Sequence, residues 1–273
     1  MARAFVGHKD EVIFSEYAFA VYSIVTQAIG AIAVEVPAKN WGHDLAAISE
    51  AITDQTKLIF LANPNNPTGT AFDKSELICF LDSVPSSVLV VLDEAYGEYI
   101  EEDNFPDGLS LLPNYPNLII TRTFSKAWGL ASMRVGYAIS NSVIADMLNR
   151  VRQPFNVNLF ALVSAVSVLK DSQYLEKSIS LNQKGLQQIG AGLHKLGLSF
   201  IPSKGNFIAF NVYPVLKENK AVYSGMDVYQ LLLKEGVIVR PLNNYNMPDF
   251  LRVSIGLSEE NQRFLTSLES VLN

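Results

Sequence analysis

Lys57–Leu61 and Val88–Leu92 are nearly continuous runs of Leu, Ile, Val and Phe, and a third strand-like segment, Leu118–Thr123, opens on Leu-Ile-Ile. A strand that faces water on one side alternates apolar with polar residues, whereas one apolar on both sides is covered on both. Each run stops abruptly at polar residues: Asn63-Pro64-Asn65-Asn66-Pro67-Thr68-Gly69 after the first, Asp93 at the end of the second, and Ser125-Lys126 after the third. Helical segments fall between the strands. Asp44 can cap Leu45–Ile52, and Asp73 with Glu76 has capping-box spacing ahead of Leu77–Leu81. Val12–Phe14 is a short apolar run, Ala31–Val36 and Arg134–Ile139 read as further strands, and Phe19–Ile29 as a helix stopped by Gly30. The fold class expected is α/β, a mostly parallel sheet sandwiched by helices.

The alternation breaks near residue 141. Ser142–Arg152, Asn158–Leu169 and Tyr174–Leu196 read as helices, followed by strands at Phe207–Val212, Val237–Arg240 and Leu251–Ile255. A helix near Val228–Leu233 and a last one carrying Phe264, Leu268, Val271 and Leu272 on one face complete the pattern. This predicts a large domain over 1–152 and a smaller α+β domain over 153–273. The net charge of −6, with no basic block, argues against nucleic acid or an anionic membrane as partner. One cysteine, Cys79, rules out an internal disulfide or a cysteine metal cluster, and its apolar setting predicts a buried position. His8, His43 and His194 lie in no motif and are expected at the surface, so no metal site is expected. No apolar run approaches the ~20 residues of a membrane span, and the expected compartment is the cytoplasm.

In a parallel sheet, ligands bind beyond the carboxyl ends of the strands. Taken singly, the polar residues there are ordinary: the Asn/Pro/Gly segment a turn, Asp93 a helix cap, Lys126 a solvated lysine. Together they supply an anion for a heterocyclic nitrogen, an amine able to form an imine, hydroxyls with Arg134 for a phosphate, and an amide and a phenol for a ring hydroxyl. That is the inventory for pyridoxal 5'-phosphate.

With these motifs in place, Asn63–Gly69, Val91-Leu92-Asp93-Glu94-Ala95-Tyr96 and Thr121-Arg122-Thr123-Phe124-Ser125-Lys126, the chain resembles the fold-type I, pyridoxal-phosphate-dependent aminotransferases of class I/II. Glu16–Tyr22, Arg152–Asn158 and Leu251–Gly256 add a likeness to the branch that passes the amino group of glutamate to imidazole-acetol phosphate, giving L-histidinol phosphate in histidine biosynthesis. The resemblance implies that Lys126 binds the cofactor as a Schiff base and shuttles the proton, and that Asp93 pairs with the pyridine nitrogen. It implies that Asn66 and Tyr96 hold the 3'-oxygen, that Thr123, Ser125 and Arg134 hold the phosphate, and that Phe19 stacks on the ring. Arg252 matches the arginine for the substrate carboxylate or phosphate, and Arg240 is either a second cation for the substrate or a structural ion-pair partner. Arg122 is a further candidate for the site, and the Asn66–Pro67 bond is expected to be cis. The implied partners are a small amino donor, a keto acceptor and a second copy in a homodimer. Relatives begin roughly 80–90 residues earlier, so an upstream arm and a phosphate-binding helix turn are expected ahead of Met1. Alternatives on the same scaffold are an aromatic amino-acid aminotransferase, a related enzyme of this cofactor, or an inactive shortened remnant.

Overall fold

The computed structural model describes residues 1–213 and 224–272. The chain divides into two compact units, Met1–Asn66 with Ala71–Leu175, and Pro67–Thr70 with Glu176–Asn273.

The first unit is built on a six-stranded sheet of β1 (Glu11–Ser15), β2 (Ile32–Val36), β3 (Thr56–Ala62), β4 (Leu89–Asp93), β5 (Leu118–Thr123) and β6 (Gly136–Ile139). Their order is β2-β1-β3-β4-β5-β6. The first five run parallel and β6 is antiparallel to β5. The apolar runs are buried on both sides, as their composition requires. Ile59, Leu61, Leu92 and Ile120 pack with Leu77, Phe80 and Leu81 of α4 (Lys74–Ser83). The alternate residues Leu58, Phe60, Val91 and Ile119 pack on the other face with Tyr22 of α2 (Val21–Ala28). The capping box forms at α4: Asp73 accepts from the Glu76 N–H, and Glu76 from the Asp73 N–H. Cys79, expected in the core, is exposed. It lies two residues, some 200° of helical turn, from the inward Leu77, so the helix carries it outward.

The 152/153 division expected from sequence falls after α6 (Ser142–Val151). Beyond it, α7 (Leu159–Val168) packs Ala161 and Ala165 against Phe124 and Val135 within the first unit. The boundary between the units falls inside α8 (Ser172–Lys195).

The second unit carries a four-stranded antiparallel sheet of β7 (Ser199–Ile201), β8 (Phe207–Asn211), β9 (Arg240–Leu242) and β10 (Met247–Ser254), in the order β7-β8-β10-β9. It packs with α8, α9 (Gly225–Lys234) and α10 (Ser258–Leu272) around Ile189, Leu193, Phe210, Leu232, Leu251 and Leu268. The strand expected over Val237–Arg240 begins only at Arg240. The Val237 N–H closes the end of α9 on the Leu232 carbonyl, around Gly236 at φ 74°, and is spent there. Gly185 lies mid-helix in α8 because a methyl group at that position would run into Ile255 and Asn261. Among the described residues, no helix is long and apolar enough to cross a membrane, and no group of His, Cys, Asp and Glu could hold a metal ion.

Candidate active site

Strand alternation sorts the residues at the carboxyl ends of β4 and β5. Asp93 and Thr121 are register partners, side by side on β4 and β5. Tyr22 donates its hydroxyl to Asp93 Oδ2 at 2.7 Å, and the Ala95 N–H donates to Oδ1 at 3.2 Å. Burial pushes the Asp93 carboxyl above the usual range, while these two bonds, the neighbouring Thr121 hydroxyl and the charge of Lys126 oppose the rise. Among the described residues no side-chain cation makes an ion pair with Asp93. The result is an enclosed carboxylate, held by neutral donors, at the wall of a cavity of about 620 Å³ that Tyr22, Phe60, Val91 and Thr121 also line.

The neighbouring residues in sequence face the opposite way. Glu94 accepts from Arg122 Nε at 2.8 Å and from the Gly108 N–H at 2.9 Å, and Arg122 also reaches Asp107 at 3.3 Å. Arg122, a candidate for the same site, is therefore committed to Glu94 on the far face of the sheet. Its place between Thr121 and Thr123 in β5 dictates this, because adjacent strand residues point to opposite faces.

Lys126 follows β5, with its Nζ 5.2 Å from the centroid of the Tyr96 ring. Tyr96 is buried, and its hydroxyl accepts from Asn66 Nδ2 at 3.4 Å. Beside them, Thr123 Oγ1 accepts from the Ser125 N–H at 3.1 Å, and Arg134 Nη1 donates to Ser125 Oγ at 3.3 Å and to the Ala131 carbonyl at 2.7 Å. Arg134 holds this position from a left-handed backbone, φ 56° and ψ 47°, uncommon for a side chain of its size. Two hydroxyls and an exposed guanidinium thus converge, as a phosphate site requires. Phe19 lies just before α2, edge-on to Tyr22 at 5.9 Å between centroids. The first unit therefore brings together Phe19, Asn66, Asp93, Tyr96, Thr123, Ser125, Lys126 and Arg134.

Arg240 and Arg252 belong to the second unit, where they are register partners across β9 and β10. Residues directly opposite share a face, and like charges so placed repel. An anion between them would relieve that repulsion. The Arg252 guanidinium also lies over the Phe207 ring, 4.9 Å from its centroid.

The structure corrects two expectations. The cis peptide is Asn63–Pro64 rather than Asn66–Pro67. It lies where the buried Asn63 side chain exchanges two hydrogen bonds with the Phe72 backbone and closes the loop. His43 is not a surface group: its ring nitrogens are enclosed, Nε2 donating to the Ala62 carbonyl at 2.9 Å and Nδ1 having no partner. Sequence reasoning also passed over Tyr22 and Thr121. Both had a signal, Tyr22 three residues beyond Phe19 on one helical turn and Thr121 two before Thr123 on one strand face.

Residues 1–268 match the family described as "Aminotransferase class I and II". The chain belongs to that family. It is 57% identical over 272 residues to "Histidinol-phosphate aminotransferase 2" of Pseudomonas fluorescens and equally so to the enzyme of that name from Pseudomonas aeruginosa, spanning all of this chain and 71% of either relative. Among solved structures it is similar to the histidinol-phosphate aminotransferase of Sinorhizobium meliloti, crystallised in complex with pyridoxal-5'-phosphate. The TM-score is 0.89 at 28% identity, over 99% of this chain and 72% of that one. The large sheet and its helices are thus those of the fold-type I aminotransferases.

Proposed function

We propose that this chain is a pyridoxal-phosphate enzyme that transfers the amino group between L-histidinol phosphate and 2-oxoglutarate, in histidine biosynthesis. The observation that carries the reading is the convergence of Lys126, Asp93, the Asn66–Tyr96 pair and the Thr123–Ser125–Arg134 cradle at the ends of adjacent strands. The residues fit the cofactor chemically: an enclosed carboxylate lacking a side-chain cation suits a protonated pyridine nitrogen. Pyridoxal phosphate supplies an electron sink for the charge left at the substrate Cα when its proton departs.

The chain's own residues do the rest. Lys126 Nζ holds the cofactor covalently and, once released, moves a proton between the substrate Cα and the cofactor C4'. Asp93 keeps the pyridine nitrogen protonated. Asn66 and Tyr96 hydrogen-bond the 3'-oxygen, and Phe19 stacks on the ring face, a phenyl giving contact without a hydroxyl. Thr123, Ser125 and Arg134 hold the phosphate, Arg134 through charge-assisted bonds. Arg252 takes the carboxylate of glutamate and the phosphate of the other substrate in turn, a planar bidentate task; Arg240, its register partner, is the second cation. The enzyme works in the cytoplasm as a homodimer. The support for the dimer is α7, which leaves Leu159, Phe160, Val163 and Val166 more than half exposed, whereas a helix apolar on all sides is ordinarily buried.

The test is direct. With added pyridoxal phosphate the purified chain is expected to absorb in the visible, and borohydride treatment is expected to fix the cofactor's mass on the peptide containing Lys126. Imidazole-acetol phosphate is expected to outcompete phenylpyruvate as amino acceptor. Preference for phenylpyruvate would make it an aromatic amino-acid aminotransferase instead.

A further inference from the structure

Tyr22 has no part in the roles assigned above, yet it makes the shortest bond to the Asp93 carboxylate, 2.7 Å to Oδ2. We propose that Tyr22 is the positioning residue for Asp93, aiming the carboxylate at the cofactor's pyridine nitrogen and doing so without a positive charge. The proposal rests on the pyridoxal-phosphate reading.

The phenol is fixed from several sides. Its ring stacks on Phe60 at 4.4 Å between centroids with 3° between planes, and meets the edge of Phe19. Its backbone carbonyl accepts from Thr26 Oγ1 at 2.7 Å, and the residue is buried. A hydroxyl on so constrained a ring has little freedom, so its bond fixes Oδ2 from α2 while the Ala95 N–H fixes Oδ1 from the turn after β4. Two separate elements therefore set the plane of one carboxylate.

The residue type matters as much as the position. An arginine or lysine here would form an ion pair with Asp93 and compete with the pyridinium for its charge. An apolar residue would remove a donor from an enclosed carboxylate, whose proton affinity would rise. A neutral O–H stabilises the anion and leaves its charge to the cofactor. Tyr22 also links two tasks on one helical turn, because Phe19, which covers the ring face, lies three residues earlier and bonds the Tyr22 N–H through its carbonyl.

The test uses the full chain with pyridoxal phosphate as the probe. Tyr22→Phe keeps the stacked ring and deletes the hydroxyl. Its cofactor Kd is expected to rise about 10–100-fold, the span covered by hydrogen bonds to charged groups. The pH midpoint of the bound cofactor's absorbance is expected to move with it. The same substitution in an Asp93→Asn background is expected to add little, since the charge it serves is gone. The cycle decides even where Tyr22→Phe lowers the Tm, because the comparison is made within each background. An unchanged Kd and absorbance midpoint, or an equal fold-loss in both backgrounds, would overturn the proposal. A wild-type chain that takes up no pyridoxal phosphate would instead overturn the function on which it rests.

Discussion

His43 shows how burial of a single side chain becomes a pH dependence. Its ring is enclosed, and burial holds its pKa down at about 4 against 6.5 when unfolded. The folded state therefore keeps the ring neutral while the unfolded chain takes up a proton below about 6.5. Stability is highest above the unfolded value and falls as the pH drops from about 6.5 to about 4, by roughly 2 kcal/mol at pH 5. Urea unfolding at pH 7 and pH 5 measures this, and His43→Gln is expected to flatten the dependence. At Lys126 the expected outcome is chemical. Lys126→Ala is expected to lower transamination by at least about 10²–10⁴-fold, the usual contribution of proton transfer alone. The thermal unfolding of the cofactor-free chain is expected to stay unchanged, because the half-exposed Lys126 anchors no core cluster.

Among the elements, α4 and α8 make opposite demands. Asp73→Ala removes the N-cap side chain of α4, leaving only the Glu76 half of its capping box, and is expected to cost about 1 kcal/mol in urea unfolding. Gly185→Ala in α8 raises helix propensity by about 1 kcal/mol but drives a methyl into Ile255 and Asn261. The overpacking, about 1–3 kcal/mol, is expected to win, giving net destabilisation in the same assay. The same contrast explains what could be read in advance. The caps at Asp44 and Asp73 and the double-sided strands β3, β4 and β5 follow from near neighbours in sequence, and they formed where expected. The convergence of Asn66, Asp93, Tyr96 and Lys126 was legible for the same reason, since each lies at or just past a strand end. Cys79 depended on the phase of a helix, and Val237–Val239 on a backbone N–H claimed by α9. His43 depended on a carbonyl 19 residues away, and Tyr22 on a carboxylate 71 residues away. These pairings exist only once the sheet has assembled.

At the scale of the molecule, the exposed apolar side of α7 predicts self-association. Phe160→Glu with Val163→Glu is expected to shift the chain from twice its monomer mass to one, as light scattering after gel filtration would show. The sheet has its own assembly problem. β4 reads Leu-Val-Val-Leu-Asp and is apolar on both faces, so hydrophobicity alone accepts it shifted by one residue. A slip of that size would turn Glu94 toward the face that Asp93 and Tyr22 share and Asp93 toward Arg122, with charge and composition conserved. The Glu94–Arg122 pair, at 2.7 Å with Glu94 almost fully buried, is expected to add little net stability after desolvation. Its value lies in information: it is the key that fits only one alignment of the strand. Replacing both residues with apolar ones of similar volume is expected to leave the Tm nearly unchanged and to split the amide resonances of β4 into more than one set. The role proposed for Asp93 thus depends on a neighbour on the opposite face of the sheet, because two adjacent acids are told apart only by the faces they occupy.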